Sequence, residues 1–241
     1  MPEVEFGEIT VAYSVRVSKR AKRISVRYSQ RDGLEVVYPL GVDSSAPEAI
    51  LAEKSDWVLA NYKRFRDEAE RLPTRNYEAG DVFYVLGKPH AFKLLMAPET
   101  KGIKVEVRDA SLVLSSPDSL DAVDLAARRQ AVEACYRALA VDYLPARVSV
   151  LAAAYGFRFA RVRVKNQKTR WGSCSSRGNI NLNLRLMMAP AGAIDYVIVH
   201  ELCHLRVLNH SPAFWALVES CSPNFRHWRS WFKRNGARLI L

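Results

Sequence analysis

Three of the five histidines in this 241-residue chain, His200, His204 and His210, fall in one short stretch, VIVHELCHLRVLNHSPAFW (197–215). Residues four apart on a helix lie nearly above one another, so His200 and His204 can offer two imidazoles to one ion. Glu201 sits beside that pair rather than beneath it, too far round to be a good third ligand but able to reach a water on the ion. This is the H-E-x-x-H arrangement, in which the glutamate serves as general base. His210 lies about 240° further round an ideal helix than His204, so it joins them only if the helix breaks. The chain supplies a break: Asn209 can leave the helix, and Ser211-Pro212 reads as an N-cap with proline at the first helical position. Three histidines with one open position are the pattern of catalytic zinc, which polarises a scissile group and brings the pKa of its water towards ~7. The competing readings are satisfied core histidines, and a loop His210 with Glu219 or solvent completing the site. Cys203, inside the motif, is read as a small buried side chain.

The histidines need a helix, yet Val197, Ile198 and Val199 are β-branched and could continue a strand. Leu202, Leu205 and Leu208 restore helical spacing, and only a helix brings His200 and His204 together with Glu201 at hand. The spacing H-E-x-x-H-x5-H coincides with that of metzincin proteases. Val207 stands where those carry glycine, however, and no methionine follows the helix, which argues against that group.

Charge is unevenly placed. The formal net charge is +11, and residues 1–154 are balanced. Residues 155–241 carry 14 Lys+Arg against only three acids, Asp195, Glu201 and Glu219, so the whole excess surrounds the histidines. A field of that sign favours an anionic partner such as nucleic acid, a nucleotide or an acidic polypeptide; a merely solubilising basic surface is the plain alternative. Four cysteines without a C-x-x-C pair suggest reduced thiols. The acidic, alternating start MPEVEFGEITVAY lacks the features of a signal peptide, and no apolar stretch approaches the length needed to span a bilayer. A cytoplasmic location is the expectation.

Periodicity divides the chain. Alternation predicts strands at ITVAYSVRV, ISVRYSQ and LEVVYP, with a turn at Arg31-Asp32-Gly33, then a helix over 46–72. Strands resume at DVFYVLG, HAFKLLM, IKVEVRD and SLVLSS. From Leu120 the period becomes helical up to Gly156, as one helix or two interrupted near Pro145, followed by a strand FRFARVRVKN with Arg161, Arg163 and Lys165 on one face. A loop, QKTRWGSCSSRG, leads to the strand NINLNLRL, the motif helix and two short helices beginning near Ser211-Pro212 and Ser222-Pro223. No internal repeat of fixed period is visible. The expected fold class is α+β: a β-rich module with one helix over 1–118, then a domain over 119–241 carrying the H-E-x-x-H helix.

RWGSCSSRGNINLNLRL (170–186) followed by DYVIVHELCHLRVLNHSPAFW (195–215) closely resembles the YgjP-like metallopeptidase family, which is related to SprT-type and wider zincin proteases. The segment SVRVSKRAKRISVRYS, the glycine turn before LEVVYP and a helix with a tryptophan near Trp57 extend the resemblance over nearly the whole chain. It implies a zincin-like catalytic fold for 119–241, with zinc ligands at His200, His204 and His210 and Glu201 as catalytic base; all four positions are intact. In zincins an edge strand beside the motif helix binds the substrate chain by strand addition, a role that NINLNLRL, with Asn181 and Asn183, is a candidate to fill; an ordinary internal strand is the equal alternative. Arg170 and Trp171 are candidates to line the cleft, Arg170 towards an oxyanion or a phosphate.

The leading expectation is thus a zinc metallopeptidase acting on polypeptide. Two others stand beside it: a nucleotide pyrophosphohydrolase using the same site in a basic cleft, and a nucleic-acid-associated protease or binding module of SprT type.

Overall fold

Alternating apolar residues build two small sheets of the same design. In the computed structural model, which describes residues 1–29, 33–70, 75–167 and 169–241, the first sheet comprises β1 (Glu3–Phe6), β2 (Ile9–Ser18), β3 (Ser25–Ser29) and β4 (Gly33–Pro39) in the order β1-β2-β4-β3. The β2–β4 pair is parallel and the two outer pairs are antiparallel. Its inner face buries Val11, Tyr13, Leu34, Val36 and Tyr38 against Leu51 and Val58 of two helices, α1 (Pro47–Glu53) and α2 (Ser55–Glu70). The single helix expected over 46–72 is therefore two, joined at Lys54. Its expected last two residues, and Arg31 and Asp32 of the expected turn, lie outside the described residues.

The second sheet, β5 (Val82–Val85), β6 (Lys88–Met96), β7 (Lys104–Arg108) and β8 (Ser111–Ser116), repeats that order and those senses as β5-β6-β8-β7. A shared topology thus recurs where no sequence period is visible, because only the apolar alternation is kept.

The chain divides between Pro73 and Thr74 into two compact units. The change of period near 118 suggested a boundary there instead. The second sheet shares a core with later elements: Phe83, Phe92, Leu112 and Leu114 belong to one buried cluster with Leu144, Ile198 and Phe214. The Tyr136 hydroxyl donates to the Tyr84 carbonyl at 2.5 Å, and the Leu86 N–H to that of Met187 at 2.7 Å.

The long helix α3 (Leu125–Tyr155) is capped by the Asp124 carboxylate, which accepts from Ala127 N–H, and stopped by Gly156 at φ 67°, a left-handed conformation that glycine adopts without strain. It runs through Pro145 without interruption. By length and composition alone α3 could cross a bilayer, contrary to the sequence expectation. Here its stripe of Val132, Tyr136, Ala140, Leu144 and Val148 is buried in the protein core, and Arg147 grips both carboxylate oxygens of Asp195 at 2.7 Å.

The third sheet carries β9 (Arg161–Lys165), β10 (Gly172–Cys174) and β11 (Asn179–Asn183) in the order β10-β11-β9. NINLNLRL therefore supplies the central strand, the internal one of its two alternatives rather than the substrate-binding edge, and ends in a 3-10 turn, Leu184–Met188. The physical reason is that Ile180 and Leu182 point to the core while the strand's backbone is paired on both sides, antiparallel to β10 and parallel to β9.

Candidate metal centre

The motif helix α4 (Ala191–Cys203) is buried along most of its length, including Val197, Ile198 and Val199; burial of β-branched residues in a packed helix overrides their weak preference for strand. It ends earlier than the leucine spacing predicts. His204 is its C-cap, still near helical dihedrals, so it keeps its place one turn beyond His200. The chain then turns through 205–211 and re-enters a helix, α5 (Pro212–Cys221), with the Ser211 hydroxyl accepting from Phe214 N–H. The last helix, α6, spans Phe225–Asn235 with Asn224 as its N-cap, two residues later than the Ser222-Pro223 pair suggests.

This break brings the three imidazoles together. One ligand atom from each of His200, His204 and His210 lies within 4.8 Å of the others. Nε2 of His210 is 3.0 Å from Nε2 of His200. Two nitrogens on a tetrahedral zinc, each ~2.0–2.1 Å from the ion, stand about 3.3 Å apart, so the cluster is near coordination geometry. Nδ1 of His204 is 3.0 Å from the Val207 carbonyl, which orients that ring with Nδ1–H donating and Nε2 free to ligate. Nδ1 of His200 is buried with no protein partner, so Nε2 carries that ring's directed interaction. Burial, reinforced by His204, His210 and Arg229, pushes the His200 imidazole down to about 3, and His210 is also lowered, chiefly by burial. Both therefore favour the neutral form that a metal ligand needs. The residues fit a divalent ion. Phe214, fully buried, floors all three rings at centroid distances of 4.9, 4.4 and 4.8 Å.

Glu201 is 5% exposed. Its carboxyl packs against the backbone of Gly172 in β10, where a Cβ would stand 2.7 Å from Cγ and Oε1. Burial pushes the Glu201 carboxyl up to about 7, partly opposed by Arg170. A group raised from an ordinary 4.5 stabilises the fold below that value and loses the contribution as pH rises through about 7. Metal-free Glu201→Gln should therefore be more stable than the native metal-free chain at pH 8 and gain nothing at pH 4, as read from urea melts at both.

A cleft of about 290 Å³ opens beside His200 and Glu201, lined also by Arg170, Trp171, Tyr196, Arg229 and Phe232. Arg170 and Trp171 thus stand at the site, Trp171 tilted on Phe232 at 5.1 Å. Asn181 and Asn183 do not. The Asn181 amide donates to Ser173 Oγ at 3.0 Å. Asn183, 2% exposed, donates to the carbonyls of Gln167 and Arg170 at 2.5 and 2.8 Å and clamps the loop carrying Arg170. Asn183→Ala, which strands those carbonyls, should cost about 1–3 kcal/mol in urea unfolding. Glu219 pairs with Arg226 and is not part of the histidine cluster, and Cys203 is buried, its thiol pushed up to about 12 by that burial. Lys168 lies outside the described residues.

Sequence reasoning misses Gly172, Tyr196, Arg229 and Phe232. Tyr196 has a signal, since it lies one turn before His200 on the same helix face; Arg229 and Phe232 have none, because only the packing of α6 brings them in. Gly192 makes that packing possible, as a Cβ there would run into the Trp228 indole.

Residues 22–235 match the family model described as YgjP-like, metallopeptidase domain. Among solved structures, the metallopeptidase zymogen of Pyrococcus abyssi abylysin is similar at 21% identity and a TM-score of 0.37, over 41% of this chain and 99% of that one. The zymogen of Methanocaldococcus jannaschii jannalysin is similar at 16% identity and a TM-score of 0.34, over 38% of this chain and 94% of that one. No curated protein matches.

Proposed function

The chain belongs to the YgjP-like metallopeptidase family, and from that premise we propose that it is a zinc-dependent peptidase with Glu201 as its general base. The observation that carries this reading is the convergence of three imidazoles from either side of a helix break, next to a buried carboxyl that is not one of that cluster. His200, His204 and His210 would hold the ion; when bound, zinc supplies Lewis acidity that polarises a carbonyl and acidifies water. Glu201 takes the proton of the attacking water and returns it to the leaving amine. Gly172 leaves the space in which that carboxyl sits. The outer edge of β10, unpaired among the described residues, suits an extended substrate, whose backbone hydrogen bonds give affinity without demanding a sequence. Arg170 and Trp171 belong to substrate binding, whereas Asn181 and Asn183 support the strand and the loop.

The test is hydrolysis of an unfolded protein by the zinc-loaded chain, stopped by a chelator and restored by zinc, with zinc content measured for native protein and His210→Ala. Native protein should hold one equivalent, and the variant should lose most of it. Failure to bind zinc overturns the reading. Release of pyrophosphate or phosphate from nucleoside triphosphates, with no peptide cleaved, would favour the phosphoanhydride hydrolase, pyrophosphate being the product of a pyrophosphohydrolase.

A further inference from the structure

The cleft beside Glu201 has an electrostatic imbalance. Of the three acids in residues 155–241, Asp195 is held by Arg147 and Glu219 by Arg226, which leaves Glu201 as the sole acid from that stretch at the cleft. Two guanidiniums from different elements line it, Arg170 from the loop before β10 and Arg229 from α6. Neither has a carboxylate in ion-pair contact among the described residues. Arg229 is exposed, but its guanidinium lies over the Trp215 ring, 4.7 Å from the centroid, and Trp215 stacks in turn on Phe225. Arg170 stands on the loop that Asn183 clamps through the Arg170 carbonyl itself.

The walls between them are aromatic, Trp171, Tyr196 and Phe232. Such walls lower the local dielectric and strengthen attraction for an anion, and the guanidinium fork matches a carboxylate. The volume, about 290 Å³, sits at the bottom of the range of small-molecule pockets, ~300–1,000 Å³, and suits one side chain or a chain end better than a nucleotide.

We propose that this cleft is a specificity pocket for a substrate carboxylate, held by Arg170 and Arg229 next to the scissile bond. The carboxylate is either an Asp or Glu side chain or the peptide's own C-terminus. The inference rests on the peptidase reading above and narrows it from unfolded polypeptide in general to acidic sites.

The experiment uses the zinc-loaded chain and quenched peptides identical except for Glu or Gln flanking the scissile bond, each with a free or amidated C-terminus. The expected result is a preference of about tenfold or more in kcat/KM for the carboxylate-bearing member of a pair. A Glu-over-Gln difference assigns the side chain, and a free-over-amidated difference assigns the terminus. In Arg170→Met/Arg229→Met the ratio within the favoured pair should collapse towards one, chiefly through KM. Binding of the Glu and Gln peptides to zinc-loaded Glu201→Gln, followed by anisotropy, should show the same preference without turnover. Equal cleavage of all four peptides by the native chain overturns the pocket while leaving the peptidase intact. A ratio that persists in the double variant, or a variant that loses kcat equally on every peptide, as an oxyanion role would require, also overturns it. If no peptide of any kind is cleaved, it is the peptidase reading that fails.

Discussion

Glu201→Gln is expected to lower kcat for peptide hydrolysis by about 10²–10⁴-fold, the usual contribution of a positioned proton-transfer group, while zinc content stays unchanged. The substitution keeps the shape of the side chain, so the contact with Gly172 and the helix packing persist, and only proton transfer is removed. Glu201 has no surface role to compensate for, since it is 5% exposed on a helix most of whose other residues are buried. Zinc content separates the roles. His200, His204 and His210 form the ligand cluster without Glu201, so a variant that lost both metal and activity would make Glu201 a ligand and the general-base assignment wrong. A variant with full zinc and native rates would move the base elsewhere.

How far the site can be read in the sequence depends on how local its parts are. The pair His200 and His204 with Glu201 is legible because helical geometry alone fixes their relation. His210 is legible because proline after a serine cap announces the helix break that its position requires. The cleft is not legible. Its wall β10 is three residues long, too short for any periodicity, and Arg229 and Phe232 arrive only through the seating of Trp228 against Gly192. Asn181 and Asn183 mislead for a related reason. Alternation correctly assigns the leucines inward, but it cannot say that the other face is also engaged, by Ser173 and by the carbonyls of the 167–170 loop. A change of period, as near residue 118, marks a change of secondary structure, whereas which elements share a core depends on packing that periodicity does not record.

Gly172→Ala is the second substitution with a large expected effect, and it acts on the same carboxyl without touching a titratable group. Gly172 has an ordinary φ, so alanine brings no backbone strain and the fold should survive. The new methyl carbon would lie 2.7 Å from both Cγ and Oε1 of Glu201, well inside van der Waals contact, so either the carboxyl or β10 must shift. Displacing a catalytic group by about 1 Å can cost on the order of 10²-fold in rate. The expected outcome is a kcat reduced by about 10–100-fold, with zinc content retained and the urea midpoint near native. Combined with Glu201→Gln it should add almost nothing, because a residue acting only by positioning another has no effect once that other is removed. Additive losses in the double variant would mean instead that Gly172 matters through the edge of β10, where the substrate backbone is proposed to lie.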